Sequence, residues 1–288
     1  MNPILLAVID RWIGRNVPLP RKDAALRPAV VVTGGSSGLG LAIAREFHRE
    51  GESVVLVARD TARLASAKAS FGPQAQDRVS TIGLDITAAD APGWLDAALA
   101  LENRSLDILV NCAGAGLAGA FDSHSADEIS RLLDLNIAAL TRLTRHALPA
   151  MKARARGGII NVASLAGYVP GPNQAAYYAS KAYVCSLTEA LASELSGSGV
   201  RMTLVAPGPI DTRFHAKMGA DNALYRWLFP AIAPERAARS AVVAYRLGRR
   251  VVVPGLISKG LAVAITILPH WTTTPILRAI LSPRGAPK

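Results

Sequence analysis

Residues 29–40 read Ala29-Val30-Val31-Val32-Thr33-Gly34-Gly35-Ser36-Ser37-Gly38-Leu39-Gly40. The apolar, β-branched run ending at Thr33 predicts a short strand, and helical periodicity begins at Leu39, so the glycines fall in the turn between the two. Glycine there lets the backbone turn tightly and come close to a pyrophosphate, while the free amides and dipole of the helix N-terminus favour its negative charge. The stretch predicts a strand, a phosphate-binding turn and a helix, which together suit a dinucleotide.

The same strand and helix alternation continues outward to about Leu204. Further strands are expected at Ser53–Val57, Val79–Leu84, Leu106–Val110, Gly158–Val162 and Val200–Val205. Helices are expected near Leu39–Arg49, Thr61–Ser70, Ala88–Leu101, Ala126–Lys152 and Ala175–Leu195. This rhythm predicts an α/β fold: a single Rossmann-like, doubly wound parallel sheet with helices on both faces and its ligand at the carboxyl ends of the strands. Prolines at 207, 209, 230, 234, 254 and 269 then cut the chain into shorter pieces, with a helix at Glu235–Leu247 and a last strand at Arg250–Val253. The expected organisation is an N-terminal extension at 1–28, one domain at 29–253 with a lid segment at about 209–234, and an apolar, basic C-terminal extension at 254–288 in which Gly255–Leu268 reads as a short helix.

Composition narrows the function classes. The chain has 288 residues, of which half are apolar and 18% charged, so it can bury a large core and is not a disordered chain. Two cysteines, Cys112 and Cys185, lie too far apart for a clustered metal site and are too few for a disulfide scaffold. They read as packed thiols in a reducing compartment, and the five histidines form no zinc pattern, so no metal is expected. Apolar runs are too short to cross a bilayer and the N-terminus lacks a secretory signal, which makes a cytoplasmic location the expectation. The net charge of +11 is unevenly spread: residues 213–288 hold twelve basic and two acidic side chains. Such a tail reads either as solvated surface or as a contact for an anionic partner. Nucleic acid is not expected, since no binding motif accompanies the charge and aromatic residues make up only 5%.

Several side chains fall where chemistry is expected. Arg59 lies just past the second strand, where an arginine accommodates a ribose 2′-phosphate and an acid would instead bind a hydroxyl. Neighbouring Asp60 is read as the cap of the following helix. Tyr177 and Lys181 are four residues apart in a helix and share a face, so the ammonium is expected to lower the phenol toward proton exchange near neutral pH. Ser164 follows the carboxyl end of a strand; alone it reads as a turn residue, and beside Tyr177 it could bind a carbonyl oxygen. Asn136 interrupts a long helix, where its amide could hold a water or backbone groups.

Taken together, residues 29 to 253 resemble the classical short-chain dehydrogenase/reductase family. Thr33 to Gly40 is similar to its glycine-rich signature, Asp85 to its adenine-side acid, and Asn111-Cys112-Ala113-Gly114 to its Asn-Asn-Ala-Gly segment, with Cys112 the one departure. Asn136, Ser164, Tyr177 and Lys181 match its catalytic tetrad, and Pro207-Gly208-Pro209-Ile210-Asp211-Thr212 resembles its nicotinamide-side loop.

The resemblance implies hydride transfer between NADP(H) and a carbonyl or secondary alcohol. Tyr177 would donate the proton, Ser164 would bind the substrate oxygen, Lys181 would hold the nicotinamide ribose and tune Tyr177, and Asn136 would support a water relay. Gly34, Ser36, Ser37, Gly38, Leu39, Gly40 and Arg59 would meet the adenosine and phosphates. Asp85, Ile86, Asn111, Ala113 and Gly114 would lead toward the nicotinamide, with Pro207, Gly208, Ile210 and Thr212 at that end. Apolar residues after Thr212, among them Met218, Tyr225, Trp227 and Phe229, suit an apolar substrate. The expected partners are that small molecule and a second subunit of a homo-oligomer, with membrane or acyl-carrier contact through the basic tail as a further reading. A reductase for carrier-bound acyl chains and a non-catalytic NADP-sensing protein are the alternatives.

Overall fold

The computed structural model describes residues 26–75, 77–220 and 223–282, without the side chain of Arg226. Most of the expected N-terminal extension lies outside these residues, and its last two, Arg27 and Pro28, belong to the first strand. Seven strands, β1 (Arg27–Thr33), β2 (Ser53–Ala58), β3 (Val79–Gly83), β4 (Arg104–Asn111), β5 (Gly158–Val162), β6 (Arg201–Val205) and β7 (Val251–Val252), pair in the order β3-β2-β1-β4-β5-β6-β7. All neighbours are parallel. The order reverses beside β1, which places the crevice for a ligand over the ends of β1 and β4.

The near-continuous apolar strands are explained by burial on both faces. Val30, Val32, Leu56 and Ile160 pack under α1 (Gly38–Arg49) and α9 (Pro234–Arg246), against Ile43, Phe47 and Tyr245. Val31, Val55, Leu109 and Ile159 point the other way, onto α3 (Ala91–Leu101), α5 (Leu140–Ala153) and α6 (Ala175–Glu194), against Leu99, Met151 and Ala192. Between β2 and β3, α2 (Thr61–Ala69) is capped by Asp60, whose carboxylate accepts the Arg63 amide at 2.9 Å, as the sequence suggests.

Two elements differ from the sequence expectation. The single helix expected over Ala126–Lys152 is three pieces: α4 (Ala126–Leu133), a π-helical segment Asp134–Ala139, and α5. The wide turn accompanies the side chain of Asn136, which accepts the Ala115 amide at 2.9 Å and donates to the Ala115 carbonyl at 2.8 Å and to Ser180 Oγ at 3.0 Å. The chain after β7 holds the helix expected there, α10 (Leu256–Ile267), and a second that was not expected, α11 (His270–Leu281). Pro269 and Pro275 hide the second of these from a reading that treats proline as a breaker, yet Pro269 sits at the cap of α11, before its first turn. Between β6 and α9, the short helices α7 (Phe214–Lys217) and α8 (Tyr225–Leu228) belong to a segment whose ends meet: Ile232 N–H donates to the Pro209 carbonyl and Asp211 N–H to the Ile232 carbonyl, both at 3.0 Å.

Across β4, β5 and α6 runs a buried polar chain. Asn111 Nδ2 donates to Thr144 Oγ1 at 3.1 Å and Asn161 Oδ1 at 2.9 Å, and Asn161 Nδ2 donates to Thr188 Oγ1 at 3.0 Å. Truncating Asn161 to Ala removes its bonds to Asn111 and Thr188 and opens a void. The expected loss of unfolding free energy is about 1 to 3 kcal/mol, read from urea denaturation as a lower midpoint at unchanged slope.

Candidate functional site

A cavity of about 700 Å³ runs along the carboxyl ends of the central strands. One end is the turn between β1 and α1. Gly34 adopts φ +68°, and a Cβ on Gly40 would stand 2.5 Å from the Gly34 carbonyl oxygen, so side chains are excluded from both positions. Ser37 stands at the cap of α1, and its side chain makes no cap hydrogen bond among the described residues. The first-turn amides of the helix are left for a ligand, which fits a pyrophosphate. Thr33 fixes the neighbouring loop by accepting the amides of Cys112 at 3.0 Å and Ala113 at 3.1 Å.

Cations surround this end. Arg59 is exposed and stands 3.7 Å from Asp85 Oδ2, and Arg45 and Arg63 also line the cavity. Burial would raise the Asp85 carboxyl, but the Thr87 amide and hydroxyl, at 3.0 and 2.7 Å, together with Arg59, outweigh it and hold the pKa below its ordinary value. Arg45 and Arg63 were not singled out from the sequence. Leu41, Ala42 and Arg45 lie at helical spacing on the face that carries the glycine turn, and Arg63 is in the first turn after Asp60; those spacings are the signal.

Ser36, Ser37, Gly38, Leu39, Ile86, Ala113 and Gly114 line the cavity, and so do Pro207, Gly208, Ile210 and Thr212. Ser164, Tyr177 and Lys181 come together on its wall midway along. Ser164, at the end of β5, caps the 3-10 turn Leu165–Tyr168 by accepting the Ala166 amide at 3.1 Å. Its hydroxyl is also hydrogen-bonded to the Tyr177 phenol, but burial dominates and pushes that phenol up to about 12. Lys181 is buried, which lowers its pKa. Its ammonium donates to the Val162 carbonyl at 3.1 Å and stands 5.8 Å from the centre of the Tyr177 ring. On balance the phenol is therefore raised and not lowered in this arrangement, where the Lys181 ammonium donates to the β5 carbonyl and desolvation prevails.

The side chains of Asn111 and Asn136 are bonded within the fold, Asn136 to backbone groups, one of the two roles read for it. Both lie behind the cavity wall: Asn111 joins β4 to β5, and Asn136 pins the loop after β4 at Ala115. Asn136 still approaches the site from behind, since a Cβ on Gly114 would meet its Oδ1 at 3.2 Å and Lys181 Nζ at 3.5 Å. Cys112 lines the cavity with its thiol pushed up to about 12 by burial, against the pull of Lys181, which fits a packed thiol.

Beyond Tyr177 the walls are apolar and aromatic. Phe214, Met218 and Phe229 face Val169, and Leu261, Ile265, Leu277 and Leu281 reach over from α10 and α11. Part of the expected C-terminal extension thus forms cavity wall. Polar groups also stand in the cavity wall, among them His215 Nδ1 and the Tyr225 hydroxyl, 2.6 Å apart, and Gln174, three residues before Tyr177, whose buried Nε2 has no partner among the described residues. These were missed, and only the placement of Gln174 one helical turn from Tyr177 could have suggested it.

A family profile described as "short chain dehydrogenase" matches residues 28–223. An uncharacterised oxidoreductase of Staphylococcus aureus is 34% identical over 186 residues, covering 65% of this chain and 79% of the relative. Among solved structures, a short-chain dehydrogenase from Sphingobium yanoikuyae in complex with NADPH superposes with a TM-score of 0.71 at 29% identity, covering 84% of this chain and 97% of that one. A 3-ketoacyl-(acyl-carrier-protein) reductase from Brucella melitensis complexed with NADH gives 0.69 at 26% identity, covering 80% and 97%.

The raised Tyr177 phenol has a thermodynamic consequence. Its pKa in the fold, about 12, exceeds the unfolded value of about 10, so its share of stability is intact below the lower figure and is lost as pH rises through the higher. Between about pH 9 and pH 11 the urea stability of the natural chain should fall relative to that of Tyr177→Phe by on the order of 1 kcal/mol. A constant gap would show that burial does not hold the phenol protonated.

Proposed function

The chain belongs to the short-chain dehydrogenase family of oxidoreductases, which act on alcohol and carbonyl carbons with nicotinamide cofactors, and from that premise we propose that it is an NADP(H)-dependent oxidoreductase for an apolar ketone or secondary alcohol. The observation that carries this reading is one continuous cavity, with a cation-flanked phosphate turn at one end, Ser164, Tyr177 and Lys181 midway, and an apolar chamber beyond.

The glycine turn and the first amides of α1 would hold the pyrophosphate, and Arg59, aided by Arg45 and Arg63, would hold a 2′-phosphate. When bound, the cofactor supplies or accepts the hydride at the substrate carbon. Ser164 then donates a hydrogen bond to the carbonyl oxygen, and Tyr177 gives that oxygen a proton as charge develops on it. Burial keeps Tyr177 protonated until then. Lys181, held by Val162, is near enough to favour the phenolate once the proton has left, and would also bind the ribose. Asn136 would act from behind by fixing Ala115 and the loop that carries Gly114. The chamber past Tyr177 would take an apolar body, with Gln174 and the His215–Tyr225 pair meeting any polar group on it.

The carrier-bound acyl reading is supported by the basic tail and by the likeness to a 3-ketoacyl-(acyl-carrier-protein) reductase. A protein that only senses NADP would bind the cofactor without turnover. A panel of ketones differing in length, followed by loss of NADPH absorbance, separates the three: turnover rising with apolar length supports the proposal, turnover of carrier-bound substrates alone would replace it, and binding without turnover would reject it.

Tyr177→Phe should keep NADPH affinity and lose about 100- to 10,000-fold in turnover, because the ring stays and the proton donor goes. Near-natural turnover in a folded variant would remove Tyr177 from the mechanism. Arg59→Ala should weaken NADPH binding about 10- to 100-fold and leave NADH nearly unchanged, as measured by fluorescence titration. An unaltered ratio between the two cofactors would assign the 2′-phosphate elsewhere.

A further inference from the structure

Helix α10 is apolar nearly all round. Ser258, Leu261, Ala262 and Ile265 recur at helical spacing on its inner side, where Leu261 and Ile265 line the cavity. Leu256, Ile257, Gly260, Ala264 and Ile267 recur on the opposite side, and all are exposed. Helix α11 repeats the arrangement: Leu277 and Leu281 face the cavity, while Trp271 and Ile276 face outward. Exposure reaches 85% for Leu256, 78% for Trp271 and 65% for Ile267, on a face that no described residue covers. Lys259, His270 and Arg278 are exposed on these two helices, and neither Lys259 nor Arg278 has an ion-pair partner among the described residues.

We propose that this outer face seats the protein on an anionic lipid surface. A stripe of large aliphatic side chains with an exposed tryptophan beside it suits the boundary between headgroups and acyl chains, and the cations suit the headgroups' charge. Residues 254–288 contain two lysines, two arginines and no acid, so the complementary partner is negative throughout. A second copy meeting this face by two-fold symmetry would set the same patch against itself, cation toward cation. No described helix is long and apolar enough to cross a membrane, so the contact is peripheral. The helices are two-sided, with one side on lipid and the other on the apolar chamber. If the oxidoreductase reading above holds, on which this consequence rests, an apolar substrate dissolved in the bilayer has a short route past α10 and α11 to Tyr177.

The test uses the full chain and flotation with vesicles of phosphatidylglycerol and phosphatidylcholine, compared with phosphatidylcholine alone. Binding should need the anionic lipid, weaken with salt, and fall at least about 10-fold in the double variant Ile267→Glu, Trp271→Glu. Neither residue lines the cavity, so reduction of a small water-soluble ketone and the mass in solution should be unchanged. A second variant, Lys259→Glu with Arg278→Glu, leaves the apolar face intact and should lose the preference for anionic vesicles. No flotation of the natural chain would overturn the proposal, as would flotation that both variants retain, which would place the contact elsewhere. A halved mass in solution for the glutamate variant would instead identify the face as a contact between copies. Loss of flotation with turnover intact separates this docking from the oxidoreductase reading, because absent turnover with normal flotation would count against that reading alone.

Discussion

The position of α6 against β5 decides whether this chain has a site at all, and one fully buried amide does much to set it. Asn161 in β5 receives Asn111 from β4 and donates to Thr188 of α6, so strand, strand and helix are joined where water is absent. Hydrogen bonds in such a place are directional and costly to leave unmade, whereas the apolar contacts around them tolerate sliding. Lys181, seven residues before Thr188, repeats the tie at the end of β5 by donating to Val162. Tyr177 is thereby held within reach of Ser164 by bonds made by neither of them.

That scaffold also explains why the centre looks inactive by its electrostatics. Desolvation drives the tyrosine and lysine in opposite directions, each toward its neutral form. The two shifts share one cause, the removal of both groups from water. The carboxylate of Asp85 behaves differently because it remains half-exposed and is held by Thr87 and Arg59. Burial thus divides the cavity into a charged, exposed end and a dry one.

What could be read in the sequence had a period or a spacing. Valines before glycines announced β1 and its turn; Tyr177 and Lys181, four apart, announced a shared face; Asp60 before Thr61 announced a cap. What could not be read depends on partners distant in the chain. Asn136 looks like any polar residue in a helix until Ala115 is seen beside it, and nothing local marks the change from α to π winding. Asn111 belongs to a motif that suggests a ligand contact, yet its side chain turns inward to Asn161. Helix α11 was concealed by its two prolines, and with it the fact that the end of the chain closes the chamber. Gln174 and Arg45 become visible only when the cavity has a shape.

The segment from Pro209 to Ile232 leaves the sheet and returns to nearly the same point, where backbone hydrogen bonds tie its two ends together. It is consequently a handle on the domain: its length and composition can change while the strands beneath keep their register. Closing a longer excursion costs little, about 0.6 kcal/mol for each doubling. The residues of this segment and those that keep the sheet folded are therefore nearly independent variables, and the wall that Phe214, Met218 and Phe229 give the cavity can be reshaped without moving Ser164, Tyr177 and Lys181.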